Sequence, residues 1–325
     1  MRGSIFFGAL ALLPLGIQPV WVINLLIFTL MYAALASSWN LVGGYAGYPS
    51  LGHAAFFGIG AYSIAIIFEN SVGRGYAPFL ILPVIGIGAA IISIPIGMVA
   101  MRTRADVFAI VTITLLFIAQ TLAFNLRTIT GGAQGKGIAV PPFAIATFSL
   151  PFYYAMLTLL FVSMAISLYF RRSKIGLSLA AVKADEDKAH GVGVRVALVK
   201  IVAFAASVGI AAMVGGVWAY YGGYIYPQFA VDPLITIGMV LMTFLGGRAT
   251  LWGPVLGAFI LVPAQQFFAY QFGGSQFYLL AYAAIFLLIM LVLPRGILPT
   301  ITDRLSRRAN LGAGSSMTAK EQKVI

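Results

Sequence analysis

Long apolar runs with almost no charge recur along the whole chain, and they constrain its fold more than any other feature. A helix of about 20 such residues spans the roughly 30 Å hydrocarbon core of a bilayer. Hydrophobic residues make up 61% of the sequence and charged residues 9%, so the chain could not cover its surface with polar groups in water. The sequence therefore predicts an all-α, polytopic transmembrane fold with about ten membrane segments. The predicted segments, of which the first and eighth are short, cover residues 4–17, 20–42, 50–69, 78–101, 105–125, 150–170, 198–221, 233–247, 250–270 and 276–294.

The distribution of Lys and Arg between these segments predicts the orientation of the chain. If the N-terminus is cytoplasmic and ten segments cross, three of the 20 basic residues fall on the outer side: Arg74, Arg127 and Lys136. This positive-inside bias accounts for the net charge of +12 without nucleic acid as a partner. Both termini are then cytoplasmic. We expect a transmembrane domain over residues 1–297 and a basic cytoplasmic tail over residues 298–325, which we predict to be disordered.

One internal cytoplasmic loop, residues 171–199, holds an unusual share of the charge. Ten of the charged side chains of the chain lie between residues 171 and 200. The loop also contains apolar residues at the i, i+3, i+4, i+7 spacing of one helix face, and Gly191 and Gly193 mark a helix end. We therefore predict one short amphipathic helix outside the membrane. Its narrow apolar stripe consists of Leu177, Ala180, Ala181 and Ala184.

Charged residues at ion-pair spacing lie beside this stripe. Lys183 and Asp187 are four residues apart, and Asp185 and Lys188 are three apart. Two interpretations of the loop remain open at this point. It is either a solvated connector that follows the positive-inside rule, or a docking helix for a cytoplasmic partner. A stripe made mostly of alanine suits close approach to a groove in a partner better than deep insertion into lipid.

Five segments, in order along the chain, carry a family resemblance. They are NLVGGYAGYPSLGHAAFFGIGAY (40–62), TGGAQGKGI (130–138), LAAVKADEDKAHGVGVRVALVKIVAFAASVGIAAMVGGVWAYYGGYIYP (179–227), FLGGRATLWGPVLGA (244–258) and LPRGIL (293–298). Together they resemble the signature segments of the branched-chain amino acid ABC transporter permeases, in particular the M-type member of the permease pair. The resemblance covers nearly the whole chain, from about residue 25 to residue 298.

This resemblance implies a function, a location and a set of partners. It implies a permease subunit in the bacterial inner membrane, serving an ATP-driven importer of branched-chain or related hydrophobic amino acids. The implied partners are a sister permease, two cytoplasmic ATPases that bind ATP and magnesium, and an extracytoplasmic solute-binding protein. This chain itself would hold no cofactor. The loop would dock on the ATPases, and the residues assigned to that coupling helix are Leu177, Ala180, Ala181, Ala184, Asp185, Glu186 and Gly191.

Two clusters of glycine, one early and one late in the chain, form a second candidate site. Glycine permits close helix packing and also helices that break inside the membrane, and paired breaks in corresponding halves of a transporter mark its solute path. Pro49 and Ser50 favour a break in the first cluster. Tight packing without a path remains the alternative interpretation, and for His53 a structural role remains the alternative to gating. The candidate path residues are Gly43, Gly44, Gly47, Ser50, Gly52, His53, Gly246 and Gly247.

Missing motifs narrow the remaining function classes. The segment TGGAQGKG departs from the phosphate-binding loop G-x-x-x-x-G-K-[ST] at Thr130 and Gly137. The sequence has no catalytic motif of the hydrolases or metalloproteases and no cysteine, so we predict neither catalysis nor a metal site. Acidic residues occur near segment ends, which disfavours a stand-alone secondary carrier. Urea, short amides and aromatic acids remain alternative substrates.

Overall fold

The structure is a computed structural model that describes residues 2–16, 19–69, 75–272, 283–284, 287 and 296–302. The predicted tenth segment, 276–294, falls almost entirely outside the described residues, as does most of the predicted tail. The elements, in chain order, are α1 (Arg2–Gly16), α2 (Val20–Trp39), a π-helix (Asn40–Ala46), α3 (His53–Ile67), α4 (Ala77–Ala100), α5 (Ala105–Asn125), α6 (Arg127–Thr130), a 3-10 turn (Gly132–Gln134), β1 (Lys136–Gly137), a second 3-10 turn (Ile145–Thr147), α7 (Ser149–Arg172), α8 (Lys174–Ala184), α9 (Glu186–Gly191), α10 (Val196–Gly222), β2 (Tyr224–Ile225), α11 (Pro227–Ala230), α12 (Pro233–Gly246) and α13 (Gly253–Phe272).

The helices confirm an all-α polytopic fold. Within the described part of the chain, seven helical stretches are long and apolar enough to cross a membrane. Two further apolar helices, Ile5–Pro14 and His53–Ile67, are shorter. Every predicted segment before residue 272 therefore coincides with an apolar helix, but the count of about ten crossing segments is imprecise. The eighth predicted segment corresponds to α12, which α11 extends to an apolar stretch of 20 residues, Pro227–Gly246.

Helix α10 lies at the centre of the bundle and packs against α2, α3, α4 and α7. Small residues let α3 approach it closely. A Cβ built on Gly60 would overlap the carbonyl of Ala212, and one built on Gly215 would overlap the carbonyl of Phe57. The backbones of α3 and α10 are therefore in contact, as is usual where small residues meet between membrane helices.

The second membrane segment and the third are separated by a break, as the sequence predicts. Helix α2 widens into the π-helix, which ends at Gly47 in the left-handed conformation, with φ 78°. The chain stays non-helical through Pro49, and α3 begins at His53. We call residues 47–52 the break. The break leaves α3 with 15 residues, which is why it is too short to cross a bilayer alone.

A second interruption, residues 247–252, separates α12 from α13. Gly247 has a φ of 119°, and Ala249 is the one residue other than glycine with a positive φ in the described part of the chain, at 61°. We call these residues the 247–252 turn. A positive φ is unfavourable for alanine, so surrounding contacts must hold the turn in this shape.

Candidate functional site

The charged loop, residues 171–199, folds as two short helices rather than the single helix predicted from the sequence. Helix α8 ends at Ala184, and Asp185 adopts an extended conformation with φ −165° and ψ 113°. The Asp185 carboxylate then accepts a hydrogen bond from the backbone N–H of Lys188 and so caps α9. An aspartate at this position satisfies an N–H that the first turn of a helix leaves free. Gly191 ends α9, in agreement with the sequence.

The predicted apolar stripe lies on the outer side of α8. The Leu177 side chain is 76% exposed, Ala180 and Ala184 are exposed, and Ala181 is half-buried. The opposite side of the helix is the buried one, where Leu179 and Val182 pack on the bundle. No described residue of this chain covers Leu177, so the stripe is open to another molecule.

Of the two predicted ion pairs in the loop, one forms. Lys188 Nζ lies 3.0 Å from the Asp185 carboxylate, in an exposed position. The predicted partnership of Lys183 and Asp187 is wrong, because α8 ends between them and the helical i, i+4 geometry is lost. Lys183 Nζ donates instead to the carbonyl of Gly44, at 2.7 Å. Burial, together with the nearby positive charge of Arg248, lowers the pKa of Lys183 from its usual value.

Glu186, predicted as part of the docking surface, is bound inward to two residues that the sequence analysis did not select. Its carboxylate accepts a hydrogen bond from Lys200 Nζ at 2.7 Å and another from the Tyr48 hydroxyl. Lys200 Nζ also donates to the Tyr48 hydroxyl at 3.1 Å and lies 4.3 Å from the centre of its ring. We call Tyr48, Glu186 and Lys200 the Lys200 cluster. The one signal in the sequence is that Lys200 lies inside an apolar run.

The Lys200 cluster keeps Glu186 ionised. Burial would raise the pKa of Glu186, but the hydrogen bonds from Lys200 and Tyr48 and the charge of Lys200 outweigh it and lower the pKa below its ordinary value. Burial and the bond to Glu186 raise the pKa of Tyr48. At neutral pH Glu186 is therefore a carboxylate and Tyr48 a neutral phenol.

The structure brings the two glycine clusters together. Asn40 accepts from the N–H of Ala249 at 2.8 Å and donates to the carbonyl of Thr250 at 2.9 Å, which holds the 247–252 turn against the π-helix. A Cβ built on Gly44 would overlap the side chain of Asn40. One built on Gly246 would overlap the Gly253 carbonyl across the turn. Gly44 thus lies at a close contact between the π-helix and the turn, and Gly246 at a close contact between α12 and α13.

Two further candidate path residues, Gly43 and Gly247, also lie at close contacts near the π-helix and the turn. A Cβ built on Gly43 would overlap the ring of Trp39, whose Nε1 donates to the Ser50 carbonyl at 2.7 Å and so spans the break. Gly247 lies against the backbone of Gly296. A Cβ built on Gly296 would lie 2.6 Å from the Gly247 Cα. Gly296, which belongs to the family segment 293–298, therefore meets the second glycine cluster.

His53 lies fully buried in a satisfied hydrogen-bond network. Its Nδ1 is 2.9 Å from the Ser50 hydroxyl, and its Nε2 is 2.6 Å from the Ser207 hydroxyl. Ser207 donates onward to the carbonyl of Ser38 at 2.6 Å, so it accepts from His53. The network assigns the proton to Nε2 and makes Nδ1 the acceptor of the Ser50 hydroxyl, which in turn accepts from Gly52 N–H. This arrangement is typical of a neutral, structural histidine.

Side chains from distant helices complete the start of α3. The N–H of Leu51 donates to the Thr112 hydroxyl at 2.9 Å, and the N–H of Ala54 donates to the Thr236 hydroxyl at 3.0 Å. Backbone N–H groups at a helix start have no partner within the helix, and inside a bilayer no water replaces one. Helices α5 and α12 therefore hold the break in place.

No group of three or more His, Cys, Asp or Glu side chains that could hold a metal ion occurs in the described part of the chain. The arrangement suits a mechanical role: two interrupted helices meet inside a helical bundle, and the charged loop between α7 and α10 is bonded to the first of them. Interrupted helices that meet in this way are the usual structural basis of a solute path. The fold and the site thus define a multi-pass helical membrane protein of the transporter class.

Comparison with known proteins identifies the family. The family model described as branched-chain amino acid transport system, permease component, matches residues 21–294, and the chain belongs to this family. It is 25% identical over 321 residues to the high-affinity branched-chain amino acid transport system permease protein LivM of Escherichia coli K12, over 90% of this chain and 73% of the relative. LivM of Salmonella typhimurium LT2 gives the same identity and coverage. No solved structure matches.

Proposed function

We propose that this protein is the membrane-spanning permease subunit of an ATP-driven ABC importer for branched-chain or related hydrophobic amino acids. The observation that carries the proposal is the open apolar stripe on α8. It lies between two spans and exposes Leu177, Ala180 and Ala184. Other residues of the same loop are bonded to the interrupted helix, Lys183 to Gly44 in the π-helix and Glu186 to Tyr48 in the break. An ATPase that binds the stripe would therefore be able to move the interrupted helix.

In this proposal, the chain works with a sister permease, two cytoplasmic ATPases and an extracytoplasmic binding protein. The ATPases bind ATP and magnesium and hydrolyse the ATP, so this chain has no catalytic residue and no cofactor of its own. The loop and both termini lie in the cytoplasm, in keeping with the distribution of Lys and Arg. The names of the LivM relatives support branched-chain amino acids as the substrate class.

The mechanism follows from the contacts between the loop and the two interruptions. ATP binding closes the ATPases, and α8 moves with them. The hydrogen bonds of Lys183 and Glu186 transfer that movement to the π-helix and the break. The hydrogen bond between Asn40 and Ala249 transfers the movement of the π-helix to the 247–252 turn. The two glycine clusters then change their packing and open the path to one side of the membrane, a rigid-body transition between two packed states.

Reconstitution tests this proposal and separates it from its alternatives. The permease is placed in proteoliposomes with the proposed sister permease, the ATPases and the binding protein. Uptake of radiolabelled leucine, isoleucine and valine should require internal ATP and the binding protein. Uptake by the permease alone under a sodium or proton gradient would instead establish a secondary carrier, and preferred uptake of urea, short amides or aromatic acids would replace the substrate class.

Ala184→Arg tests the docking role of the stripe. The added guanidinium projects from the exposed face of α8, so we expect ATP-driven uptake to fall by at least about 100-fold, as when a charge is buried unpaired at an interface. Membrane insertion should remain unchanged. Val192→Arg is the matched control, because Val192 is 80% exposed in the same loop but lies off the stripe. Wild-type uptake by Ala184→Arg would contradict the docking role.

A further inference from the structure

Lys200 is the one buried Lys, Arg, Asp or Glu side chain in the described part of the chain. Its side chain is 2% exposed, and it enters α10 within the first turns of a membrane span. Removing an ammonium group from water is strongly unfavourable unless partners replace the water. Here Glu186 and Tyr48 are those partners, so the position of Lys200 has a specific structural cause.

The three members of the Lys200 cluster come from three separate parts of the fold. Tyr48 lies in the break, Glu186 begins α9 of the coupling loop (residues 171–199), and Lys200 belongs to the central helix α10. Each residue bonds to both of the others: Tyr48 to Glu186, Lys200 to Glu186 at 2.7 Å, and Lys200 to Tyr48 at 3.1 Å. The cluster is thus a closed triangle that fixes the loop relative to the break and to α10.

A second polar contact joins the coupling loop to the interrupted helix, next to the break. Lys183 Nζ donates to the Gly44 carbonyl at 2.7 Å, and its stem runs over Gly47, where a built Cβ would lie 3.0 Å from Lys183 Cγ. The loop is therefore bonded to the chain on both sides of the end of the π-helix. Glu186 also lines a cavity of about 550 Å³, together with Arg102 and Arg104.

The polar contacts of the Lys200 cluster hold three segments of the chain in one geometry. Leu179 and Val182 also pack on the bundle, but van der Waals contacts of this kind are not directional as hydrogen bonds are. Charge-assisted hydrogen bonds are short, strong and directional. The burial of Lys200 keeps water from replacing Glu186, so a displacement of α9 must either carry Lys200 and Tyr48 with it or leave the buried ammonium without its carboxylate partner.

We infer that Lys200 is a positioning residue for transport: through Glu186 and Tyr48, it couples movement of the coupling loop to the break. The inference rests on the proposed function, since it needs an ATP-driven movement of the loop. It goes further by assigning the coupling to one triangle of side chains rather than to the loop as a whole. Lys200 has no contact with solute in this role and acts through Tyr48.

Lys200→Met tests the inference in the reconstituted complex. Methionine fills much of the same volume and removes the ammonium group. We expect the ATPases to remain bound, with basal ATP hydrolysis within about twofold of wild type, while uptake per ATP hydrolysed falls at least about tenfold. Lys188→Met is the matched control, because Lys188 lies in the same loop and pairs with Asp185, but its side chain is 85% exposed. It should keep the wild-type ratio.

A conformational measurement adds a readout that a merely structural role would not change. The chain has no cysteine, so a single Leu51→Cys, at a half-buried position in the break, can report on the break. Its rate of reaction with a maleimide should change several-fold between the nucleotide-free and ATP-bound complex. Combined with Lys200→Met, that change should disappear. Combined with Lys188→Met, it should persist.

Each result decides between the proposals. If the complex with unaltered permease shows no ATP-driven uptake, the proposed function fails first. If that complex transports and Lys200→Met retains the wild-type uptake per ATP, the positioning role alone is wrong. If Lys200→Met fails to assemble, Glu186→Gln replaces it, with the exposed Asp187→Asn as its control. An unchanged uptake per ATP and an unchanged Leu51→Cys response in Glu186→Gln would then overturn the inference.

Discussion

At the scale of single residues, buried polar side chains decide how the interrupted helices are held. The Ser50–His53–Ser207 network ends at the Ser38 carbonyl and joins the break to α10 and α2. Every nitrogen of the His53 ring has a partner within 3.0 Å. The sequence left His53 open between a gating and a structural role, and this geometry favours the structural one.

His53→Leu separates the two roles. Loss of the imidazole leaves the Ser50 hydroxyl without its acceptor, so we expect the free energy of unfolding in detergent to fall by about 1–3 kcal/mol. The apparent affinity for substrate, measured as the substrate concentration that gives half-maximal uptake, should stay unchanged. His190→Leu provides the control, since His190 is exposed in the coupling loop. A weakened substrate affinity with full stability would support gating or substrate contact instead.

The charge of Glu186 gives a prediction for pH. Its pKa is lowered in the folded protein from an ordinary value of 4.5, so its contribution to stability is fully present above about pH 4.5 and is lost as the pH falls through the lower, folded value. The difference in melting temperature between wild type and Glu186→Gln should therefore be constant from about pH 8 to about pH 5 and shrink in more acidic solution. Asp187→Asn controls for net charge. A difference that already shrinks between about pH 8 and about pH 6 would contradict the assigned ionisation.

At the scale of elements, the coupling loop shows what a periodic pattern captures and what it misses. The spacing of Leu177, Ala180 and Ala184 correctly indicates one exposed helix face. It does not reveal that the helix ends at Ala184. The end was readable from another signal, because Asp185 followed by two acidic residues is typical of a helix start.

Close packing of α3 on α10 gives an element-scale prediction. Gly60→Ala places a methyl group against the Ala212 carbonyl, where a backbone must shift, so we expect about 1–3 kcal/mol of lost stability. Gly88→Ala is the matched control in α4, because a Cβ there has no neighbour within 4 Å. That variant should be neutral or slightly stabilising. Chemical denaturation in detergent measures both, and equal effects of the two substitutions would contradict the close approach.

At the scale of the whole molecule, the sequence by itself determined the membrane fold, the family and the position of the break. These properties depend on local composition: apolar run length, charge between runs, and Gly and Pro within a run. Each of these properties can be recognised within one segment, without knowing which helices pack together. The predicted orientation and docking role rest on the same local signals and remain predictions.

Only the tertiary structure decided which polar groups meet. Lys183 reaches Gly44, Lys200 reaches Tyr48, and Asn40 reaches Ala249, across 139, 152 and 209 residues of sequence. A buried polar group takes whichever partner the packing brings within hydrogen-bond distance. That choice depends on the close approach of backbones at several glycines at once, and no single segment contains the information.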